Sequence, residues 1–330
     1  MFAVRRLVFV SILLALVVVS LGAYTRLTHA GLGCPDWPGC YGLIDVPQTQ
    51  AQIAKAEAAF PERPVEVQKA WNEMIHRYFA GALGLLILWI AIASVKQRKQ
   101  GIPVVLPLVI LGIVTFQALL GMWTVTMKLM PVVVMAHLLG GFTTLCLLFL
   151  LYLRLSNYRI PGGDWSIKKY ARFGLVGVGL LTVQIALGGW TSSNYAALHC
   201  TELPICQSGW VEQLTFDNSF DLIPPEKATY EFGHLDHDER ITIHVMHRIG
   251  AIVTFIYLTW LALTIRRKAQ SSFFQTVPVV LLVILLIQVA LGVSNVVMSL
   301  PLGIAVSHNV VAACLMMVLI TLTYSLQRKT

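Results

Sequence analysis

Eight long apolar segments constrain the fold of this chain more than any other feature. They lie at about 7–25, 74–95, 103–125, 132–154, 170–191, 242–265, 275–298 and 303–326. Each can form a helix that crosses the bilayer core, which takes roughly 20 residues. Every backbone polar group must be bonded internally in hydrocarbon, and the short alternating segments of a β-barrel are not visible. The sequence therefore predicts an all-α integral membrane protein with eight transmembrane helices.

The net charge of +8 reflects membrane topology rather than a nucleic-acid partner. Basic residues cluster at the termini and in alternate short loops, whereas most acidic residues lie in two long loops, about 26–72 and 192–241. Lys and Arg in short loops mark the cytoplasmic side, so we expect both termini in the cytoplasm. The first apolar segment is longer than the core of a usual signal peptide, and we expect it to remain as a membrane helix.

The chain contains an internal repeat that is centred on four histidines. His76 and His137 are 61 residues apart, and so are His247 and His308. The surrounding sequence also repeats: Ile75-His76-Arg77 matches Met246-His247-Arg248, Gln117…Gly121 matches Gln288…Gly292, and Leu21-Gly22…Thr25…Cys34 matches Leu187-Gly188…Thr191…Cys200. This repeat predicts two four-helix bundles, 1–160 and 161–330, related by a pseudo-two-fold axis along the membrane normal. The turn sequence Pro161-Gly162-Gly163-Asp164 would join them.

All four histidines fall near the outer ends of predicted spans. Histidines on facing helices of a bundle can bind one haem iron from both sides. Zinc or copper stays open, although two histidines leave zinc short of its usual four ligands. Arg77 and Arg248 would pair with haem propionates or extend to lipid headgroups. Glycines that would let a macrocycle approach the backbone are Gly81, Gly84, Gly140 and Gly141 for the first pair, and Gly250, Gly292 and Gly303 for the second.

The two halves differ one helical turn before the first histidine of each pair. Glu73 precedes His76 by three residues, and His244 precedes His247 by three. A spacing of three residues places both groups on one helical face. A carboxylate beside a macrocycle can take protons or stabilise a developing cation, whereas an acid at a helix start can simply complement the macrodipole. The first reading makes the first half the reactive site and gives the second half a fixed prosthetic group.

The outer loops carry two cysteine pairs and several short motifs. Cys34 with Cys40 and Cys200 with Cys206 would face an oxidising compartment, which predicts two disulfides, structural or redox-active. Cys146 and Cys314 lie inside apolar spans and are predicted to be packing residues. A short helix is expected at Ala51–Ala59. The run Glu231…His234…Asp236-His237-Asp238-Glu239 is expected to be a solvated loop, with a metal site as the alternative.

Taken together, these residues resemble the haem A synthase family over essentially the whole chain. The matching elements are Thr25-Arg26-Leu27-Thr28, Gly31-Leu32-Gly33-Cys34-Pro35-Asp36-Trp37-Pro38, Glu73-x-x-His76-Arg77, Gln117…Leu120-Gly121…Thr124-Val125, His137-Leu138, Cys200…Cys206, Ile243-His244-x-x-His247-Arg248 and Gln288…Leu291-Gly292…His308. The resemblance implies a bacterial inner-membrane enzyme that oxidises the C8 methyl of haem O to a formyl group through hydroxylated intermediates. Water would supply the oxygen, and an external acceptor would take the electrons.

The resemblance also implies roles for the singled-out residues. His76 and His137 would hold the substrate haem, with Glu73 as the catalytic residue, and His247 and His308 would ligate haem b near the periplasmic side. A haem O synthase and oxidase assembly factors are the partners expected by analogy, beside membrane lipid. Two alternatives remain open: a di-haem electron-transfer cytochrome, and a haem carrier that leaves its cargo unchanged.

Overall fold

The structure, a computed structural model, describes residues 2–156 and 164–328. The helices are α1 (Phe2–Leu27), α2 (Gln50–Ala59), α3 (Val67–Lys96), α4 (Val105–Thr126), α5 (Pro131–Leu155), α6 (Ala171–Ser193), α7 (His237–Lys268), α8 (Ser272–Val297) and α9 (Leu302–Gln327). Short 3-10 turns occupy Arg98–Gln100 and Trp165–Tyr170. The described ranges contain no β-strand, and Cys40 and Leu43 form an isolated bridge. The predicted all-α fold is confirmed.

Eight of these helices, all except α2, are long and apolar enough to cross a membrane. The chain is therefore a multi-pass membrane protein, and the prediction of eight spans is confirmed. The main differences lie at the N-terminal ends of α3 and α7, which begin at Val67 and His237 rather than near 74 and 242. Polar residues form these extra turns, and Asp236 and Glu239 close a capping box that starts α7. The predicted short loop helix is also confirmed, as α2.

The described residues form two compact units. The first contains the chain up to Leu145 together with Asp221–His234, and the second contains Cys146–Phe220 and the chain from Leu235 onward. Within the first unit, Arg63 pairs with Glu231 at 2.9 Å, which fastens the Asp221–His234 segment. The repeat-based halves 1–160 and 161–330, their pseudo-two-fold axis and the cytoplasmic termini stay predictions. The proposed turn residues Pro161-Gly162-Gly163 lie outside the described residues.

Asp164 fastens two neighbouring segments of the second unit. Its carboxylate accepts hydrogen bonds from the backbone N–H groups of Gln270 at 2.9 Å and Ser271 at 2.8 Å, immediately before α8. Burial opposes ionisation of this group, but the hydrogen bonds from Ser271 and Gln270 together outweigh it and lower the pKa of Asp164. The ionised carboxylate therefore stabilises the start of α8.

Candidate functional site

His76 on α3 and His137 on α5 face each other in the first unit. Their ring centres are 6.3 Å apart, and the ring planes make an angle of 84°. The bond from a metal ion to an imidazole nitrogen is about 2.0 Å long, and this nitrogen lies about 1.1 Å from the centre of its ring. Two imidazoles that bind one metal ion from opposite sides therefore have ring centres about 6.2 Å apart. The observed spacing fits two axial ligands of one haem iron.

Each of the four histidine rings lies against a glycine of another helix. The pairs are Gly22 with His76, Gly121 with His137, Gly188 with His247 and Gly292 with His308, and a Cβ added at the glycine would lie 3.0, 3.4, 3.1 and 3.2 Å from the Cε1 atom of the ring. A larger residue at these positions would press on the imidazole. All four glycines belong to the repeated motifs of the sequence. Only Gly292 was assigned a role from the sequence.

The other glycines singled out from the sequence fall into two groups. A Cβ at Gly81, Gly84, Gly141 or Gly303 would meet nothing within 4 Å, so these positions offer open space. Gly140 and Gly250 are instead covered by amide side chains, those of Gln117 and Gln184 respectively. Their predicted role in receiving a macrocycle stays a prediction.

His247 on α7 and His308 on α9 form the corresponding pair in the second unit. The two imidazoles are close enough to interact electrostatically. Each also has a glutamine at its ring: Nε2 of Gln184 on α6 lies 3.0 Å from Nδ1 of His247, and Nε2 of Gln288 on α8 lies 3.2 Å from Nε2 of His308. Two imidazoles between apolar helices are a donor set suited to haem iron. Gln184 was not singled out from the sequence, although a polar residue inside an apolar span indicates a polar contact within the helix bundle.

Glu73 lies one turn before His76 and is only 4% exposed. Its Oε2 accepts a hydrogen bond from the Cys34 N–H at 2.9 Å, and its Oε1 pairs with Nη2 of Arg77 at 2.5 Å. The carboxyl group thus joins α3 to the loop that follows α1. Because α3 begins at Val67, Glu73 lies beyond the first turn of the helix. The reading of Glu73 as a helix-start acid is therefore wrong.

Arg77 and Arg248 hold the two cysteine loops. Nη1 of Arg77 donates to the carbonyl oxygens of Asp36, Pro38 and Gly39 at 3.0, 3.3 and 2.6 Å. Arg248 donates to those of Cys200, Glu202 and Ile205 at 2.5, 2.6 and 2.6 Å. Since these guanidinium groups point to the loops and are largely buried, the reading that they extend to lipid headgroups is wrong. Pairing with haem propionates stays a prediction.

The two predicted disulfides, Cys34–Cys40 and Cys200–Cys206, are present. The first packs with Tyr41 and Met74 in a small buried cluster. Burial raises the pKa of Tyr41 to about 12, and its hydroxyl donates to the Pro64 carbonyl at 3.1 Å. The remaining cysteines, Cys146 and Cys314, are free thiols inside α5 and α9. The disulfides therefore sit in well-packed loops that the arginines fasten to the histidine-bearing helices.

The acidic and histidine-rich run from Glu231 to Glu239, which continues into the first turn of α7, does not form a cluster of metal ligands. Among the described residues, no group of three or more His, Cys, Asp or Glu side chains could hold a metal ion. Glu231 pairs with Arg63, and Glu239 accepts the Asp236 N–H at the start of α7. The metal alternative for this run is wrong.

The comparisons with known proteins agree with this architecture. The chain matches the family model COX15-CtaA, described as cytochrome oxidase assembly protein, over residues 5–320. The heme A synthase of Shewanella oneidensis is 50% identical over 321 residues, which cover 97% of this chain and 96% of that protein. Heme A synthases of Mesorhizobium japonicum and Bacillus licheniformis are 25% and 26% identical, covering 93% and 89% of this chain and 85% and 86% of theirs. The predicted family resemblance is confirmed: the chain belongs to the COX15-CtaA family of cytochrome oxidase assembly proteins.

Proposed function

We propose that this protein is a haem A synthase, which oxidises the C8 methyl of haem O to a formyl group. The observation that carries the proposal is the 6.3 Å separation of the His76 and His137 rings, which suits one shared haem iron. Similarity to a curated heme A synthase over nearly the whole chain supports the same reaction. In this proposal haem O binds in the first unit between these two imidazoles, and the open space at Gly81 and Gly84 leaves room beside α3.

Glu73 is proposed to assist the chemistry as a fixed carboxylate in the wall of the substrate site. It lies on the same face of α3 as His76, and residues three apart on a helix have Cβ atoms about 5–6 Å apart. The Cys34 N–H and Arg77 hold its two oxygens from different sides, so the group needs no reorganisation during the reaction. A positive charge that develops at the methyl carbon during electron removal would be stabilised by such a charge. The second unit has His244 here, which favours the first unit as the reactive one.

The second unit is proposed to bind haem b through His247 and His308. When bound, this cofactor would supply one-electron redox chemistry. The residues of the chain would hold its iron, and Gly188 and Gly292 would keep both imidazoles seated against the neighbouring helices. Water is the proposed oxygen source, and the electrons would leave to an external acceptor.

The proposed setting is a bacterial inner membrane with both termini in the cytoplasm and the haem sites toward the periplasmic side. The long loops that carry the disulfides would then face the compartment in which disulfides persist. A haem O synthase that delivers the substrate and oxidase assembly factors that receive the product are the proposed partners.

A di-haem electron-transfer cytochrome is the second candidate, because the same glycine–imidazole contacts occur in both units. Pigment analysis separates the candidates. The protein is expressed in a host that makes haem O and no haem A, and the extracted haems are identified by mass and absorption. A haem A synthase yields a formyl haem, whereas an electron-transfer cytochrome or a carrier yields only unmodified haem.

Matched variants assign the two sites. We expect His137→Ala to abolish formyl haem while haem b remains bound, and His308→Ala to lose the haem b spectrum. Wild-type protein that binds haem O and haem b but never forms a hydroxylated or formyl haem would overturn the proposal.

A further inference from the structure

The two histidine pairs differ in the side chains that hold their rings. In the second unit, Nε2 of Gln184 lies 3.0 Å from Nδ1 of His247 and donates to the His247 carbonyl at 3.0 Å. Gln288 places its Nε2 3.3 and 3.2 Å from the two ring nitrogens of His308. Each imidazole of the second unit thus has a side-chain amide beside its ring, and at His247 the amide lies at Nδ1.

Among the described residues, the two imidazoles of the first unit have no such amide partner. Nδ1 of His76 and Nδ1 of His137 are buried and make no hydrogen bond within the described residues. A backbone carbonyl acts on each of these rings, that of Val18 on His76 and that of Gln117 on His137, and His308 of the second unit has the equivalent carbonyl of Gln288. The difference between the units therefore lies in the side-chain amides. Nε2 of Gln117, which occupies the position of Gln288 in the repeat, is also buried without a partner.

Three sequence differences account for this asymmetry. Four residues before the ring-contacting glycine stands Val18 in the first unit and Gln184 in the second. Three residues after the first histidine stands Phe79 in the first unit and Gly250 in the second, and a Cβ at Gly250 would collide with Oε1 of Gln184. The second unit therefore supplies both the amide and the space for it.

The third difference concerns the other glutamine. Three residues after the second histidine stands Gly140 in the first unit and Val311 in the second. The Gln117 amide lies so close over Gly140 that any Cβ there would overlap it. A valine is incompatible with that amide position, and in the second unit the Gln288 amide lies at the His308 ring instead.

A hydrogen bond to the second nitrogen of a ligating imidazole fixes the ring orientation, selects the tautomer and raises the basicity of the ligand. An imidazole that binds iron through Nε2 carries its proton on Nδ1 and needs an acceptor there. An amide has a donor and an acceptor at one end. In the structure Nε2 of Gln184 lies at Nδ1 of His247, so the proposal requires the amide to turn by half a turn when iron binds. This turn would bring Oε1 to the protonated Nδ1 and would give up the hydrogen bond to the His247 carbonyl.

We propose that Gln184 is a positioning residue for His247, which makes the second unit a pre-organised site for a permanently bound haem. His76, which has no side-chain amide at its ring, is held less firmly than His247, and this suits a unit that accepts and releases one haem after another. This inference rests on the proposed function, because it explains how one chain keeps one haem and exchanges another.

Two substitutions at one position test the hydrogen bond. Gln184→Leu removes the acceptor, so the ligand becomes less basic and we expect the reduction potential of haem b to rise. Gln184→Glu offers a stronger acceptor, and we expect the potential to fall. A role in packing alone would not shift the potential in opposite directions. Haem b should also transfer to a haem-scavenging apoprotein about tenfold faster from Gln184→Leu than from wild type.

Gln117→Leu is the matched control, because its amide lies over Gly140 rather than at an imidazole. We expect it to leave the haem b potential unchanged, as measured by spectroelectrochemical titration. Wild-type potential and retention in both Gln184 variants, in protein that still binds haem b and forms haem A, would overturn this inference and leave the proposed function intact. Wild-type protein without haem b or conversion would instead overturn the proposed function.

The reverse exchange tests the first unit. Val18→Gln together with Phe79→Gly introduces the amide and the space for it beside His76. We expect this variant to release haem from the first unit about tenfold more slowly, measured by the same transfer assay with haem O loaded. Release at the wild-type rate from folded protein would contradict the role assigned to the missing amide.

Discussion

Glu73 and Arg77 form a buried ion pair across one turn of α3, with Oε1 and Nη2 2.5 Å apart. The corresponding pair in the second unit is His244 and Arg248, where Nε of the arginine lies 3.3 Å from Nε2 of the imidazole. Both arginines also hold a disulfide loop through three carbonyl oxygens. The same arrangement thus contains a carboxylate in one unit and an imidazole in the other. Arg77 neutralises a buried negative charge, whereas Arg248 contacts an imidazole.

Replacing Arg77 by Ala should strongly destabilise the protein, because it leaves the buried Glu73 carboxylate without its partner. Breaking a buried ion pair in this way costs about 3 kcal/mol or more. Arg248→Ala loses a comparable set of carbonyl hydrogen bonds but strands no carboxylate, so we expect it to cost about 2 kcal/mol less. Thermal unfolding of both variants in detergent measures the difference.

The double variant Arg77→Ala/Glu73→Gln provides the control for that comparison. Removing the stranded charge should recover part of the lost stability, although the loop carbonyls remain without their donor. Equal destabilisation by Arg77→Ala and Arg248→Ala, with no recovery in the double variant, would show that the ion pair adds nothing to the loop contacts.

Glu73→Gln tests the proposed chemical role with a side chain of the same size. The amide oxygen can still accept the Cys34 N–H, and Arg77 keeps its three loop carbonyl acceptors, so we expect the variant to fold, with lower stability, and to bind both haems. Loss of the fixed negative charge should reduce formyl haem by at least about tenfold, with unconverted or hydroxylated haem accumulating. Extracted haems are quantified by chromatography. His244→Gln, the matched change in the second unit, should reduce conversion far less, and undiminished haem A output from Glu73→Gln would remove this carboxylate from the mechanism.

Periodicity and composition were enough to predict the helices and the repeat, because a membrane span must satisfy its backbone within itself. The pairing of His76 with His137 also followed, since matched spacing in a duplicated frame implies facing helices. The contacts of Arg77 with the Cys34–Cys40 loop could not be predicted from the sequence. A long side chain reaches residues about forty positions away in sequence, and only the folded loop decides which carbonyls it meets. The Gln184–His247 contact was missed for the same reason.

Gly22→Ala should disturb the substrate site alone. The added methyl would lie 3.0 Å from Cε1 of His76, closer than an ordinary van der Waals contact, so the ring must shift away from α1. We expect less haem O bound in the first unit and a normal haem b spectrum. Gly188→Ala places a methyl 3.1 Å from Cε1 of His247 and should produce the opposite pattern. Haem stoichiometry in the purified variants distinguishes the two.

Gly112→Ala, at an exposed glycine of α4 to which no role in haem binding is assigned, is the control for these glycine changes. Its added methyl meets nothing within 4 Å, and alanine is the better helix former by about 1 kcal/mol. The variant should therefore keep both haems with equal or higher thermal stability. If Gly22→Ala and Gly112→Ala bound haem O alike, the contact between Gly22 and His76 would have no bearing on ligand geometry.

Asp164→Asn should lower stability in a way that depends on pH. The folded protein holds the pKa of Asp164 below its ordinary value of 3.8, because Ser271 and Gln270 donate to the ionised form more than burial opposes it. A lowered folded-state pKa stabilises the protein above the unfolded pKa, and this contribution disappears as the pH falls through the folded pKa.

At pH 7 we expect the variant to be less stable by about 1 kcal/mol, since one of the two N–H groups would face an amide NH2 instead of an acceptor. The difference in unfolding temperature between wild type and variant should begin to shrink as the pH falls below about 4 and should reach its minimum below the folded-state pKa. Asp45→Asn, which changes an exposed acid of the first outer loop, should show no comparable loss at pH 7. A difference between wild type and Asp164→Asn that stayed constant from pH 7 to pH 3 would mean that the charge of Asp164 does not stabilise the start of α8.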